Sequence, residues 1–138
     1  MVNRDKIRQK LATIEANLRK LQFLKNLPSD DFLGDFRNVE SAKHLLQVSI
    51  ENMSDICDHI IAKHRLGTPA SQAESFRMMS ENGFLDPANL QRYLLMTKFR
   101  NKVVHLYFEI QDTEIYKILQ TDLEDFNTFI TEILRLHL

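Results

Sequence analysis

Apolar residues recur every three or four positions along most of the chain, which is the spacing of amphipathic α-helices. The first such stretch covers residues 3–26 and ends before Pro28. The second is long: it begins near Phe32, keeps a seven-residue rhythm and ends near His64. Its first turn is expected to be irregular, because Gly34 disfavours a helix by about 1 kcal/mol. The inward positions predicted for these two helices are Ile7, Leu11, Ile14, Leu18, Leu21, Leu24, Phe32, Phe36, Val39, Ala42 or Lys43, Leu46, Ile50, Met53, Cys57 and Ile60.

Three further helices are predicted in the second half of the chain. A capping box at residues 71–74 opens a short third helix that stops near Gly83. Asp86 and Pro87 supply an N-cap and a first-turn proline for the fourth helix. A polar break at residues 111–114 precedes the fifth helix. The inward positions predicted here are Phe76, Met79, Leu90, Leu94 or Leu95, Phe99, Val103, Leu106, Ile115, Leu119, Leu123, Phe126, Ile130, Ile133 and His137.

These elements predict one all-α domain over residues 1–138, an antiparallel up-and-down bundle of four main helices and one short helix. The length suits a single domain with its own core, and only three Gly, three Pro and no Trp favour helices. The one cysteine, Cys57, cannot form an intrachain disulfide and falls on the core rhythm, so we expect a buried thiol. No leader-like run and no apolar stretch of roughly 18 residues is seen, which predicts a cytoplasmic protein without membrane contact.

Four polar side chains of different chemistry are concentrated near the end of the fourth helix. Arg100, Asn101, His105 and Tyr107 lie within eight residues. At about 100° per residue they share an arc of roughly 160°, and the apolar positions of the same segment form a stripe on the other side. The sequence therefore predicts a helix that is anchored by one face and presents reactive groups on the other. Val104 falls within the polar arc, as it would if this face met a second copy.

Charge is distributed unevenly around this cluster, although the formal net charge of the chain is only −1. Residues 87–108 contain four basic residues, among them Lys102, and no acidic residue. Residues 2–26 contain seven basic and two acidic residues. Such patches favour a phosphate-bearing ligand, and we expect no carboxylate beside the cluster to hold a metal. A solvated helix face would give the same local pattern.

The cluster has the groups needed to cleave RNA without a metal or another cofactor. A histidine imidazole exchanges protons near neutral pH, so His105 can act as a general base. Arg100 offers a planar fork of donors for the phosphate, while Asn101 can orient the imidazole or, with Lys102, contact the substrate. RNA supplies its own nucleophile, the 2′-hydroxyl, and would leave a 2′,3′-cyclic phosphate and a 5′-hydroxyl.

The remaining histidines do not suggest a metal site. His59 and His64 are five positions apart and so do not share one helix face, as a pair of helix-borne metal ligands would. The paired Glu-x-x-His motifs of carboxylate-bridged metal bundles are also absent from the sequence.

The arrangement Arg-x4-His, with Asn after the Arg and Tyr two places after the His, resembles the signature of HEPN domains (higher eukaryotes and prokaryotes nucleotide-binding). The His-x-Tyr ending is similar to that of HepT, a toxin whose antitoxin is a minimal nucleotidyltransferase. The likeness extends over about residues 11–134 and includes the run at 55–61 before a Gly/Pro loop.

The resemblance implies a helical bundle that forms a homodimer, with both signatures lining one cleft. It implies a metal-independent endoribonuclease acting on tRNA or mRNA, with Arg100 and His105 as catalytic residues. It also implies that the antitoxin transfers AMP to Tyr107 and so silences the nuclease. Two other functions remain open on the residues alone: a non-catalytic helical module that binds a nucleotidyltransferase, nucleotide or RNA, and a purely structural dimer.

Overall fold

The computed structural model describes residues 4–138, which form seven α-helices and two short 3-10 turns, and no strand within that range. The predicted all-α bundle is therefore confirmed. The predicted start of the first helix at residue 3 lies outside the described residues. The helices are α1 (Arg4–Lys25), α2 (Ser29–Leu33), α3 (Phe36–Lys63), α4 (Gln72–Glu81), α5 (Leu90–His105), α6 (Asp112–Thr121) and α7 (Glu124–Arg135), and the 3-10 turns are Pro87–Asn89 and Tyr107–Glu109.

Helix α3 is the central element of the bundle. It packs along α1 on one side and contacts α4, α5 and α6 on others, so that one hydrophobic core includes residues of all seven helices. All six predicted inward positions of α1 are buried, as is Cys57, whose thiol is free. Among residues 4–138, none of the helices combines the length and the hydrophobicity of a membrane-spanning segment.

The predicted second helix is divided in two at Gly34. A Cβ atom at this glycine would lie 2.7 Å from the carbonyl oxygen of Asp30, so the close turn that ends α2 requires glycine. The side chain of Asp35 then caps α3 by accepting a 3.0 Å hydrogen bond from the N–H of Arg37. Phe36 was wrongly predicted as a core residue: it opens α3 and is 75% exposed.

The predicted fifth helix is also two helices, because α6 ends at Thr121. The hydroxyl of Thr121 lies 2.9 Å from both the carbonyl oxygen of Lys117 and the carboxylate of Asp122, so polar side chains terminate the helix locally. Buried Leu123 holds the junction against the core. His137 lies beyond the end of α7 with a φ of 52°, and is not part of the predicted helix.

Two N-caps predicted in the second half are confirmed, although Asp86 caps a 3-10 turn and α5 itself begins at Leu90. Ser71 accepts a 3.1 Å hydrogen bond from the N–H of Glu74 at the start of α4. Asp86 accepts one of 2.9 Å from the N–H of Ala88 in the turn that leads into α5. Inside the bundle, buried Tyr93 of α5 hydrogen-bonds to the carboxylate of Glu132 on α7. These contacts fix the direction of α5 and so the position of its far end.

Candidate functional site

The predicted reactive residues lie at the C-terminal end of α5 and in the turn that follows. Arg100, Asn101, Lys102 and His105 occupy the last two turns of the helix, and Tyr107 opens the next 3-10 turn. The buried stripe beneath them includes Val103, which is confirmed as a core residue. One end of the bundle therefore carries all five predicted side chains, although they are held in different ways.

Helix α5 ends at His105 because Leu106 leaves the helical conformation, with φ −131° and ψ 38°. The N–H of Leu106 still bonds the carbonyl of Lys102 at 2.8 Å, and the N–H of Glu109 bonds the carbonyl of Leu106 at 2.9 Å. The turn is anchored by Ile110, which is buried. The prediction that Leu106 belongs to the core stripe was wrong, since about half of its surface is exposed.

Arg100 is held by a carboxylate from α3. Its Nε and Nη2 atoms donate to Oε2 of Glu51 at 3.1 and 2.6 Å, and Gln47 donates to the other oxygen of Glu51 at 3.3 Å. Its Nη1 atom donates to Oδ1 of Asn101 at 3.1 Å. Both charged side chains of the pair are largely buried, with 21% of Arg100 and 31% of Glu51 exposed. The guanidinium is therefore fixed in direction rather than freely mobile.

Lys102 is also paired with a carboxylate, in this case from the first turn of α6. Its Nζ lies 3.1 Å from Oε2 of Glu114, and about a third of each side chain is exposed. The expectation that no carboxylate lies beside the cluster was thus wrong, because Glu51 and Glu114 approach from other helices. Even so, residues 4–138 contain no group of three or more His, Cys, Asp or Glu side chains that could hold a metal.

His105 is exposed at the end of α5 and makes no side-chain hydrogen bond or ion pair within residues 4–138. The side-chain oxygen of Asn101 accepts a hydrogen bond from Arg100, and Asn101 does not hydrogen-bond to the imidazole. The predicted role of Asn101 in orienting His105 is therefore not seen in the protomer. Arg100 and His105 are five residues apart, about 140° around the helix and roughly 7.5 Å along it. One protomer therefore presents the guanidinium of Arg100 and the imidazole of His105 as separate groups.

Tyr107 lies in the turn and not on the helix, so its predicted place on one helical arc with Arg100 and His105 was wrong. Its ring is half-buried and packs against the core. The ammonium of Lys43, from α3, lies 4.3 Å from the centre of the ring, in cation–π geometry. The neighbouring Phe108 meets it edge-on, with ring centres 5.7 Å apart, and is 97% exposed. The phenol oxygen of Tyr107 has no hydrogen-bond partner in the part of the chain that the structure describes.

The sequence did not reveal that Lys43, Glu51 and Glu114 contact the site residues. Glu51 is 49 positions from Arg100, and Glu114 is 12 positions from Lys102 and in another helix. Local spacing cannot identify such partners, because only the packing of α3 and α6 against α5 brings them close. Lys43 did give a signal in the sequence, because the helical periodicity of α3 places this charged residue on the core face.

The chain is similar to known proteins over most of its length. The sequence profile of the family described as "Ribonuclease HepT-like" matches residues 14–133. A protein of Shewanella oneidensis named mRNA nuclease HepT is 31% identical over 129 residues, covering 94% of this chain and 96% of that protein. A protein of Aphanizomenon flos-aquae named tRNA nuclease HepT is 25% identical over 127 residues, covering 92% of this chain and 86% of that protein.

A similar solved structure is described as the tri-AMPylated Shewanella oneidensis HEPN toxin in complex with MNT antitoxin. It superposes with a TM-score of 0.87 at 31% identity, covering 95% of this chain and 98% of that chain. The similarity thus extends over nearly the whole length of both molecules and includes the end of α5. The resemblance seen in residues 100–107 is confirmed, and the chain belongs to the ribonuclease HepT-like family.

Proposed function

We propose that this protein is the toxin of a toxin–antitoxin pair and acts as a metal-independent endoribonuclease. The observation that carries the proposal is the set of Arg100, Asn101 and His105 on the exposed end of α5, in a chain of the ribonuclease HepT-like family. The names of the similar nucleases, one for mRNA and one for tRNA, support RNA as the substrate class. In this account the catalytic residues are Arg100 and His105, while Asn101 and Lys102 bind the substrate.

The reaction uses the 2′-hydroxyl of RNA as nucleophile. His105 removes its proton, the 2′-oxygen forms a bond to the adjacent phosphorus, and the bond from phosphorus to the 5′-oxygen breaks, with a proton passing to the leaving oxygen. Arg100 neutralises the charge that develops on the phosphate. Three of the five guanidinium N–H groups are engaged by Glu51 and Asn101, so two remain for a phosphate oxygen.

The active form is a homodimer in this proposal, because one protomer holds Arg100 and His105 apart. In a dimer the Arg100 of one copy can serve the His105 of the other. Exposed apolar side chains beside the polar groups support such a contact: Val104 is 41% exposed and Leu106 is 49% exposed. A dimer would also double the cationic groups available to RNA.

The protein acts in the cytoplasm, as a single domain and without a membrane.

Regulation by a cognate minimal nucleotidyltransferase acts on Tyr107. Its phenol oxygen has no partner in residues 4–138, and its turn directly follows His105. A similar toxin is described as tri-AMPylated and in complex with MNT antitoxin, which supports both the modification and the partner. AMP on Tyr107 adds bulk and negative charge where an RNA phosphate must approach, and so repels the substrate.

A second candidate function is favoured by the ion pairs at the site. Arg100 and Lys102 are each paired with a carboxylate, which lowers their net attraction for a polyanion. A protomer that keeps both pairs would serve as a non-catalytic module that binds the nucleotidyltransferase.

The nuclease proposal is tested with unmodified wild type, His105→Ala and His44→Ala, each incubated with labelled tRNA and excess EDTA. His44 is an exposed histidine on α3 and serves as the matched control. We expect wild type and His44→Ala to cleave the RNA and His105→Ala to lose at least 100-fold in rate, about the contribution of a general base. Equal cleavage by all three proteins would contradict the assignment, and inactivity of all three would favour the binding module.

A further inference from the structure

Lys43 is a charged side chain in a position that usually takes an apolar residue. It is 5% exposed, in the middle of the core face of α3. The only carboxylate within 4 Å of its ammonium in residues 4–138 is Glu40, at 3.5 Å, one turn earlier on an exposed side. Burial of an ammonium is costly unless other groups compensate it, and one long contact does so poorly. The second compensating group is the face of the Tyr107 ring, at 4.3 Å.

The geometry leaves the phenol oxygen of Tyr107 open. Because the ammonium lies over the face of the ring, it does not cover the edge that carries the oxygen. A group attached to that oxygen would emerge beside the ammonium. The four-carbon stem of lysine is flexible, and its three donors can turn toward a new oxygen atom. No other carboxylate in residues 4–138 pairs with the ammonium to oppose such a shift.

We propose that Lys43 is the binding partner of the phosphodiester anion that forms when AMP is attached to Tyr107. This inference rests on the proposed modification of Tyr107. In that transfer the phenol oxygen forms a bond to the α-phosphorus of ATP, the bond from that phosphorus to pyrophosphate breaks, and the phenol proton is released. The product carries one negative charge beside Lys43, and the ammonium exchanges a cation–π contact for a charge-assisted hydrogen bond.

Two consequences follow for regulation. Before transfer, Lys43 positions the ring so that its hydroxyl faces out of the turn. After transfer, the pairing with Lys43 holds the adenylyl group against the end of α5, beside His105, where it obstructs RNA. Lys43 thus stabilises the modified state more than the unmodified one.

The test places sulfotyrosine at position 107 by amber suppression, since a sulfate monoester carries one negative charge, as the phosphodiester of a tyrosine-bound AMP does. Melting temperatures are measured for Tyr107 and sulfotyrosine in four backgrounds: wild type, Lys43→Met, Lys43→Arg and Lys98→Met. Lys98 is exposed on α5 and controls for the loss of one positive charge. The coupling is the difference between the effects of sulfation in two backgrounds.

We expect the change in melting temperature on sulfation to be about 3 °C more positive in wild type and Lys98→Met than in Lys43→Met. Lys43→Arg is expected to restore most of this difference. The same temperature change in all four backgrounds would overturn the proposal. So would a tenfold loss of RNA affinity in unmodified Lys43→Met without any coupling to sulfation, because Lys43 would then contact RNA.

A separate measurement keeps this result distinct from the fate of the proposed modification. The mass of the peptide containing Tyr107 is determined after incubation of wild type with the nucleotidyltransferase partner and ATP. Coupling to sulfation without any added AMP would leave the anion-pairing role of Lys43 in place and reject modification of Tyr107. Added AMP without coupling to sulfation would support modification of Tyr107 and reject the anion-pairing role of Lys43.

Discussion

Arg100 of α5 and Glu51 of α3 form a close ion pair in which one carboxylate oxygen accepts from two guanidinium nitrogens, at 2.6 and 3.1 Å. The pair connects the central helix of the bundle to the predicted phosphate-binding group. It fixes the direction of the guanidinium, and it also places a negative charge beside the position that an RNA phosphate would occupy. These two effects oppose each other in binding, and each can be measured.

Glu51→Gln removes the charge and keeps an oxygen that can accept a hydrogen bond. We expect RNA to bind about threefold to tenfold more tightly at low salt, because a cation is released from its partner, and the slope of log affinity against log salt to steepen by about 1. The measurement uses fluorescence anisotropy with a 2′-O-methyl RNA that cannot be cleaved. Glu81→Gln, an exposed carboxylate at the end of α4, is the control. Unchanged affinity in Glu51→Gln would show that the pair does not compete with RNA.

The proposed site shared between two protomers predicts that two inactive variants restore each other. The Arg100→Ala and His105→Ala homodimers would each lack one of the two proposed catalytic groups. After partial denaturation and joint refolding, heterodimers contain one site with Arg100 from one copy and His105 from the other. We expect the mixture to recover RNA cleavage at roughly a quarter of the wild-type rate, because half of the dimers are mixed and each has one complete site. Sites contained within one protomer would give no recovery.

The hydrogen bond between Tyr93 and Glu132 predicts a large effect on stability. Burial raises the pKa of the Tyr93 phenol, and its partner Glu132 raises it further, so the hydroxyl stays protonated and donates. Tyr93→Phe leaves the buried Glu132 carboxylate with the N–H of Asp86, at 2.6 Å, as its one remaining hydrogen-bond donor within residues 4–138. We expect a loss of about 2 kcal/mol in the free energy of unfolding, measured by urea denaturation.

Tyr116→Phe is the matched control for this loss. Tyr116 is only partly buried and donates to the main-chain carbonyl of Leu27 at 3.0 Å. Tyr116→Phe removes this one hydrogen bond and leaves no buried charge without a partner. We therefore expect a loss of about 1 kcal/mol in the free energy of unfolding. Equal effects of the two substitutions would contradict the view that Tyr93 stabilises a buried carboxylate.

The helices of this protein were predictable because the apolar period that marks them is a local property. Their interruptions were less so: Gly34 produced a full break between two helices, and Thr121 and Asp122 ended α6 through side-chain hydrogen bonds that periodicity does not register. Tyr107 was misplaced for a similar reason, since Leu106 leaves the helical conformation one residue before it.

The candidate site residues could be proposed from sequence because Arg100, Asn101, His105 and Tyr107 lie close together in the chain. Their ion-pair partners could not be proposed in this way. Glu51, which pairs with Arg100, lies 49 residues away on another helix, and only the packing of α3 against α5 brings the two side chains together. The charge of the site therefore differs from that of the sequence window around it.

In the proposed reaction the 2′-hydroxyl of RNA is the nucleophile and His105 activates it. The decisive measurement compares a labelled RNA cleaved at one site with the same RNA carrying a single 2′-deoxy nucleotide on the 5′ side of that site, in excess EDTA. We expect a 2′,3′-cyclic phosphate and a 5′-hydroxyl from the first substrate and no cleavage at that site in the second. Cleavage of the 2′-deoxy substrate at the same position, or products with a 5′-phosphate, would contradict it.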